Sequence, residues 1–259
     1  MDMGLAGRKA IVCASSKGLG RACAGALAAE GCDVVINGRT PETVASTAAA
    51  VRAASPDVTV SEVACDVATP EGQVALLAAC PQPDILVNNA GGPPPGNFRD
   101  WDRDDWIKAL DTNMLTAILL IKASVDGMIE RRFGRIINIT SAAVKSPIPI
   151  LGLSNGARAG LTGFCAGLAR ETVEHNVTIN GLLPGPFKTD RLKQTMTKRA
   201  LPGEGFDDTM AREALVNPAK RFGEPDEFGA ACAFLASSHA GFITGQNLVL
   251  DGGNFRGTL

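Results

Sequence analysis

Seven short runs of β-branched and aliphatic residues alternate with longer stretches of helical periodicity along these 259 residues. That alternation constrains the fold more than any other feature, because strands joined through helices return parallel within one sheet. The first strand is predicted at Lys9–Cys13, followed by an alanine-rich helix from Gly18 to Glu30 that Gly31 stops. Asp33–Asn37, Val58–Cys65, Asp84–Asn88, Arg135–Thr140, Thr178–Leu183 and Asn247–Leu250 read as the remaining strands. Helical patterns separate them at Pro41–Ala54, Pro70–Ala79, about Trp101–Arg131, Leu153–Glu174 and Pro225–Ala236. The segment from about 188 to 217 is polar, interrupted by breakers and weakly periodic, and is expected to form a lid. There is no linker, repeat or low-complexity stretch. The expectation is therefore one doubly wound α/β domain over residues 1–259, its seven-stranded, mainly parallel sheet covered by helices on both faces.

Composition narrows the function classes. With 25 basic against 27 acidic side chains the net charge is −2, which offers no basic footprint for nucleic acid or an anionic membrane. No apolar run is expected to approach the roughly 18 residues of a membrane span. Seven cysteines are scattered singly without a CxxC pair, and the first residues lack a charged and then apolar leader. Both observations favour a reducing cytoplasm. The only histidines, His175 and His239, stand far apart without ligand-spaced partners, so no metal site is predicted. The chain contains no tyrosine.

Strand one runs directly into Ala14-Ser15-Ser16-Lys17-Gly18-Leu19-Gly20, and the next helix begins inside that stretch. Glycines there let a phosphate approach backbone N–H groups at the positive end of the helix. A plain βα turn is the alternative reading, since glycine pairs at helix starts are common. After strand two the chain has Asn37-Gly38-Arg39 and no carboxylate. An NAD-selective domain places an acid about there to bond the ribose 2′-OH. Arg39 can instead fork onto a 2′-phosphate, or be an ordinary solvated loop charge.

This order of elements and loops resembles the short-chain dehydrogenase/reductase family, whose fold is of the Rossmann type. The family pattern TGxxxGxG reads here from Cys13 to Gly20, keeping Gly18 and Gly20 but carrying Cys13 for the threonine and Ala14 for the first glycine. A methyl group at Ala14 suits the turn if its φ is negative. Lys17 resembles the basic residue of NADPH-preferring relatives. Asp66-Val67 is similar to the pair that touches adenine, and Asn88-Asn89-Ala90-Gly91 matches the NNAG signature letter for letter. Pro184-Gly185 with Thr189 resembles the segment beside nicotinamide and pyrophosphate, and the likeness continues through Arg221–Pro225 to Asp251-Gly252-Gly253. The resemblance implies a dinucleotide site using Ala14, Ser15, Ser16, Lys17, Gly18, Leu19 and Gly20, with Asn89, Ala90 and Gly91. Lys17 and Arg39 favour NADP(H) over NAD(H).

In this family an Asn, a Ser, a Tyr and a Lys assist hydride transfer. Reducing a carbonyl requires a proton at oxygen, and a positioned acid contributes about 10²–10⁴-fold. Asn113 and Ser141 occupy the first two places. Thirteen residues after Ser141 stands Ser154, and four beyond it Arg158, where relatives carry YxxxK. The i, i+4 spacing still sets both on one helix face. Ser154 is short and weakly acidic, and the expected role for it is a helix-start cap. Arg158 keeps a positive charge and is expected to hold cofactor or stabilise an oxyanion rather than shuttle protons, a structural ion pair being the alternative. The chain resembles most closely a subset of the family that looks like β-ketoacyl-acyl-carrier-protein reductases but lacks the usual Tyr and Lys.

The resemblance implies an NADP(H)-dependent oxidoreductase acting on a small carbonyl or alcohol. Its proton would come from Ser141 polarised by Arg158, from Lys145, from water or from an acid on the substrate. An NADPH-binding sensor or partner subunit without redox chemistry is a second reading, and a lyase or isomerase on the same scaffold a third. Leu192, Met196, Leu201, Phe206 and Met210 mark either an apolar pocket or core-facing helix positions. A homotetramer or homodimer is expected by resemblance, with Phe242–Leu250 suited to an interface.

Overall fold

Alternate residues of a strand point to opposite faces, and here both faces are apolar. The structure, a computed structural model, describes residues 1–258. Its strands are β1 (Lys9–Val12), β2 (Asp33–Gly38), β3 (Val60–Ala64), β4 (Ile85–Asn88), β5 (Gly134–Ile139), β6 (Val177–Pro184) and β7 (Asn247–Leu250). They make one sheet in the order β3-β2-β1-β4-β5-β6-β7, and every neighbouring pair is parallel. The α-helices are α1 (Gly18–Ala29), α2 (Pro41–Ala54), α3 (Pro70–Ala79), α4 (Arg103–Leu110), α5 (Thr116–Glu130), α6 (Gly152–Thr172), α7 (Asp190–Arg199), α8 (Phe206–Val216) and α9 (Pro225–Ala236).

The two-residue period of the strands sorts the core into two layers. Ala10, Val12, Ile85, Val87, Ile137 and Ile139 face Cys23 and Leu27 of α1 and Phe228 and Cys232 of α9. Ile11, Leu86 and Ile136 face Leu120 and Ile121 of α5 and Leu161 and Cys165 of α6. A one-residue slip of any central strand would exchange its layers, so the register is held from both sides. Each fully buried Leu, Ile or Phe contributes about 1.5–3 kcal/mol by leaving water.

Three sequence expectations change on folding. The helical stretch expected from about Trp101 to Arg131 is α4 and α5 joined by a π-helical turn at Asp111–Leu115, where the Thr116 hydroxyl donates to the Asp111 carbonyl. Contrary to the expectation that no apolar run reaches spanning length, Arg103–Glu130 is long and apolar enough by composition to cross a membrane. In the fold its Ala117, Leu120, Ile121 and Met128 are core residues packed on the sheet. Such a run reflects burial against β-structure rather than lipid.

The third change is in the weakly periodic 188–217 segment, which forms two helices, α7 and α8. Leu192 and Met196 pack with Phe222 and with Met210 and Ala214, while Leu201 and Phe206 stay exposed. Charged groups complete the pairing: Arg212 donates to Glu204 at 2.8 Å and Arg199 to Glu213 at 2.6 Å. Propensity and apolar periodicity alone are weak here because few residues of each helix are buried, and the ion pairs that align them lie far apart in sequence.

The Arg212 guanidinium, with help from the Leu201 N–H, holds the Glu204 carboxyl down to about 2. Its folded value lies below its unfolded one, so this contribution to stability is complete above the unfolded value and falls away as pH drops toward about 2. The protection factors of α8 amides, corrected for the intrinsic exchange rate, should fall across that acid window before those of the central strands. Equal protection of α8 at pH 6 and pH 3 would refute the assignment.

Candidate active site

Between β1 and β4 the direction of winding reverses, and the loops that leave their carboxyl ends separate to leave a crevice. The phosphate-type loop on one side is built around a buried amide. Asn37, at the end of β2, accepts the Ala14 N–H at 2.9 Å and donates to the Val63 and Cys65 carbonyls. Its backbone carbonyl accepts the Ser15 and Ser16 N–H groups, and its own N–H donates to the Ser15 hydroxyl. On the far side, the Asn89 amide donates to the Ala14 carbonyl at 3.2 Å. Ala14 is thus gripped at both peptide groups, and its φ is +46°, the left-handed region. The expected negative φ does not hold: the loop bends as a glycine-bearing loop would, and the alanine is strained. Gly20 is required for a different reason. A Cβ there would lie 2.4 Å from the Ala14 carbonyl oxygen and 2.9 Å from the Asn89 amide nitrogen.

The first turn of α1 has no side-chain cap and no acidic residue, with Lys17 as its N-cap residue. Its free N–H groups and the helix dipole make an anion site. A Cβ on Gly38 would meet the Ser16 hydroxyl at 2.4 Å, so the residues bearing Lys17 and Arg39 are chain neighbours of one tight contact. Both cations are exposed. Lys17 and Gly18 open onto a groove between α1, α2 and α9, which Arg39 does not line. The Asp66 carboxylate accepts the Ala68 N–H, and Val67 is buried; both follow the carboxyl end of β3.

The other side of the crevice is a cleft of about 330 Å³. It brings together Leu19, Asn89, Ala90 and Gly91 with Ser141, Ser154 and Arg158. Pro184, Gly185 and Thr189 close it from the β6 side, and Thr189 caps α7 by accepting the Leu192 N–H. Arg158 is 92% buried, on the inward face of α6. Its Nη1 donates to the Ile139 and Thr140 carbonyls, both at 2.9 Å, and its Nε donates to the Ser154 hydroxyl oxygen at 3.1 Å. Ser154 is therefore a partner of Arg158 and not the helix cap expected for it, because its side chain points along α6 into the cleft. No carboxylate pairs with Arg158 among the described residues, so the structural ion pair is also replaced. Burial, with the nearby Arg191 charge adding to it, pushes the guanidinium down to about 10, so it remains charged at neutral pH.

The Ser141 oxygen accepts the Ala143 N–H at 3.1 Å, which leaves its own proton free to point into the cleft. Asn113 lies in the π-helical turn, behind Arg158, and its buried carbonyl oxygen has no partner among the described residues. Lys145 is exposed, its ammonium 5.7 Å from the Phe255 ring centre, and it is not among the residues lining the cleft. Burial pushes the Cys13 thiol up to about 12, so the residue in the threonine position is no nucleophile. Sequence reasoning missed two site residues. Asn37 carried a signal, a polar residue ending an otherwise apolar strand; Arg191 carried none, because only the docking of α7 brings it to the cleft.

The family model described as enoyl-(acyl carrier protein) reductase matches residues 13–254. The 3-oxoacyl-(acyl-carrier-protein) reductase of Vibrio cholerae is 36% identical over 259 residues, covering 98% of this chain and 99% of its own. Gluconate 5-dehydrogenase of Gluconobacter oxydans is 32% identical over 251 residues, covering 96% and 95%. The L-sorbose reductase of Gluconobacter frateurii, solved with NADPH and L-sorbose, superposes with a TM-score of 0.93 at 30% identity, over 99% of this chain and 100% of that one.

Replacing Ala14 with Gly removes about 1–2 kcal/mol of left-handed strain and returns about 0.4–1 kcal/mol of unfolded-chain entropy. The net gain is about 0–1.6 kcal/mol, so A14G should melt up to a few degrees higher by calorimetry. A lower midpoint would show that the loop is unstrained.

Proposed function

Because the chain belongs to the short-chain dehydrogenase/reductase family, we propose that it is an NADP(H)-dependent oxidoreductase that reduces a small carbonyl compound or oxidises the corresponding alcohol, with Ser154 and Arg158 in the places of the family's tyrosine and lysine. One observation carries this reading: an uncapped α1 behind a glycine-dependent loop stands beside a cleft into which a buried guanidinium and a serine hydroxyl project. The fit to a dinucleotide is physical. The helix N-terminus suits a diphosphate, and the exposed Lys17 and Arg39 flank the place of a 2′-phosphate.

When bound, a reduced nicotinamide supplies the hydride. Arg158 and Ser141 act on the other end of the bond. As the carbonyl carbon accepts hydride, the bonding pair moves to oxygen, and Arg158 Nη2 and the Ser141 hydroxyl donate hydrogen bonds to it. Ser141 passes its proton to that oxygen and is reprotonated from water. Ser154 orients Arg158 through Nε, and Asn113 presents its free carbonyl oxygen to water on the inner wall. On this reading the chain is one of the ketoreductase-like subset that lacks Tyr and Lys. In it, α7 and α8 are the lid, and the exposed Phe242, Leu248, Leu115 and Leu119 suit a homodimer or homotetramer.

A second reading, an NADPH-binding protein without hydride transfer, is favoured by the three Arg158 hydrogen bonds spent on the protein itself. Turnover separates the two. Wild-type protein should oxidise NADPH slowly against a panel of small ketones and oxo acids. The paired change Ser154→Tyr with Arg158→Lys should raise that rate by about 10²-fold, the low end of what a positioned acid supplies. No turnover in either protein, with NADPH still bound, would overturn the oxidoreductase reading in favour of the second.

The cofactor preference is tested separately. Replacing Lys17 and Arg39 with Ala should weaken NADPH binding by about 10–100-fold, from the loss of charge-assisted contacts, and leave NADH binding within about twofold. Equal losses for both nucleotides would contradict the 2′-phosphate assignment.

A further inference from the structure

Two arginines in the structure are buried, and they differ in one respect. Arg135 donates Nε to the Ser237 carbonyl, Nη1 to the Gly134 and Asn176 carbonyls and Nη2 to the Asn176 side chain. Arg158 commits Nε and Nη1 in the same manner, but its Nη2 has no partner among the described residues. That nitrogen lies 3.6 Å from the place a Cβ on Gly92 would occupy, and Arg191 Nη2 lies 3.5 Å from the same point. Two guanidinium groups therefore converge over a glycine that leaves the space between them open. Among the described residues Arg191 makes no ion pair, and the acid beside it in sequence, Asp190, faces Lys193 at 3.6 Å. The cleft they share is lined by these two cations and by no Asp or Glu. Like charges held this close in a half-buried cleft repel, and an oxyanion between them turns repulsion into two charge-assisted contacts.

We propose that Arg158 and Arg191 form a clamp over Gly92 for the carboxylate of the substrate, so that the compound reduced here is a short oxo acid and the compound oxidised a hydroxy acid. The proposal rests on the reading of this cleft as the carbonyl-reducing site. Arg158 Nη2 carries two protons, one for a carboxylate oxygen and one for the carbonyl oxygen. Both can be used only when the two groups are separated by no more than one or two bonds, which points to 2-oxo and 3-oxo acids. The rest of the wall, with Leu19, Leu151, Phe187 and Leu192, accepts a short apolar remainder. The diphosphate of the cofactor is the other anion near this place, and it already has the uncapped start of α1.

Calorimetric titration of the NADP⁺-loaded protein distinguishes these occupants without requiring turnover. The probes are pyruvate and acetoacetate, each against its methyl ester, which keeps the ketone and masks the charge. At least one acid should bind about tenfold or more tightly than its ester. Arg191→Ala, at an exposed position, should bring that ratio close to one while NADPH affinity changes by less than about threefold, and Arg191→Lys should restore part of the preference. The clamp is overturned if neither acid outbinds its ester, or if Arg191→Ala weakens NADPH about tenfold and leaves the ratio intact, which assigns Arg191 to the diphosphate. A protein that discriminates acid from ester but transfers no hydride keeps the clamp and refutes only the redox reading. A protein that reduces neutral ketones as readily as oxo acids keeps the redox reading and refutes the clamp.

Discussion

The double grip on Ala14 is the constraint from which the rest of the site follows. Asn37 takes its N–H and Asn89 its carbonyl, so the chain leaving β1 has one available path, through a left-handed φ. The Asn89 bond exists only because Gly20 has no Cβ, which ties the loop to the first turn of α1. That turn is consequently left without a side-chain cap and with its N–H groups facing outward. A buried amide thus converts strand order into an anion site. It does so at a depth where every unmade hydrogen bond would cost about 1–3 kcal/mol.

On the other side of the crevice a buried charge does the corresponding work. Arg158 is anchored by two carbonyls at the end of β5, beyond which the chain turns into the Ser141 segment, so its position and that of Ser141 depend on one another. A lysine has one nitrogen and three donors; arginine has five donors in a planar fork, enough to hold the strand end and still present one nitrogen to the cleft. On the proposed reading, Ser154 and Arg158 in place of Tyr and Lys exchange a proton donor for a fixed, permanently charged group. The chemistry proposed for such a site is oxyanion stabilisation, with the proton arriving through a hydroxyl or water.

Much of this was legible before folding. The strands and the helices α1, α2, α3, α6 and α9 lie within a few residues of where apolar period, glycine stops and N-terminal prolines put them. These signals are local, and both faces of a parallel sheet demand them. The helices α7 and α8 were not legible, because they bury little and are aligned by Glu204, Arg199, Arg212 and Glu213 across a loop. Nor was the π turn at Asn113, which depends on one hydroxyl reaching a carbonyl five residues back.

The sequence by itself determined the α/β architecture, the glycine loop, the absence of tyrosine and the Ser154–Arg158 spacing. These depend on residue type and on separation along the chain, which folding cannot alter. Only the tertiary structure decided that Ala14 is left-handed, that Ser154 serves Arg158 instead of capping a helix, and that Arg191 of α7 meets Arg158 over Gly92. The reason is common to all three. Each depends on groups from different crossovers meeting at the carboxyl ends of the strands, where distance in space has no counterpart in distance along the chain.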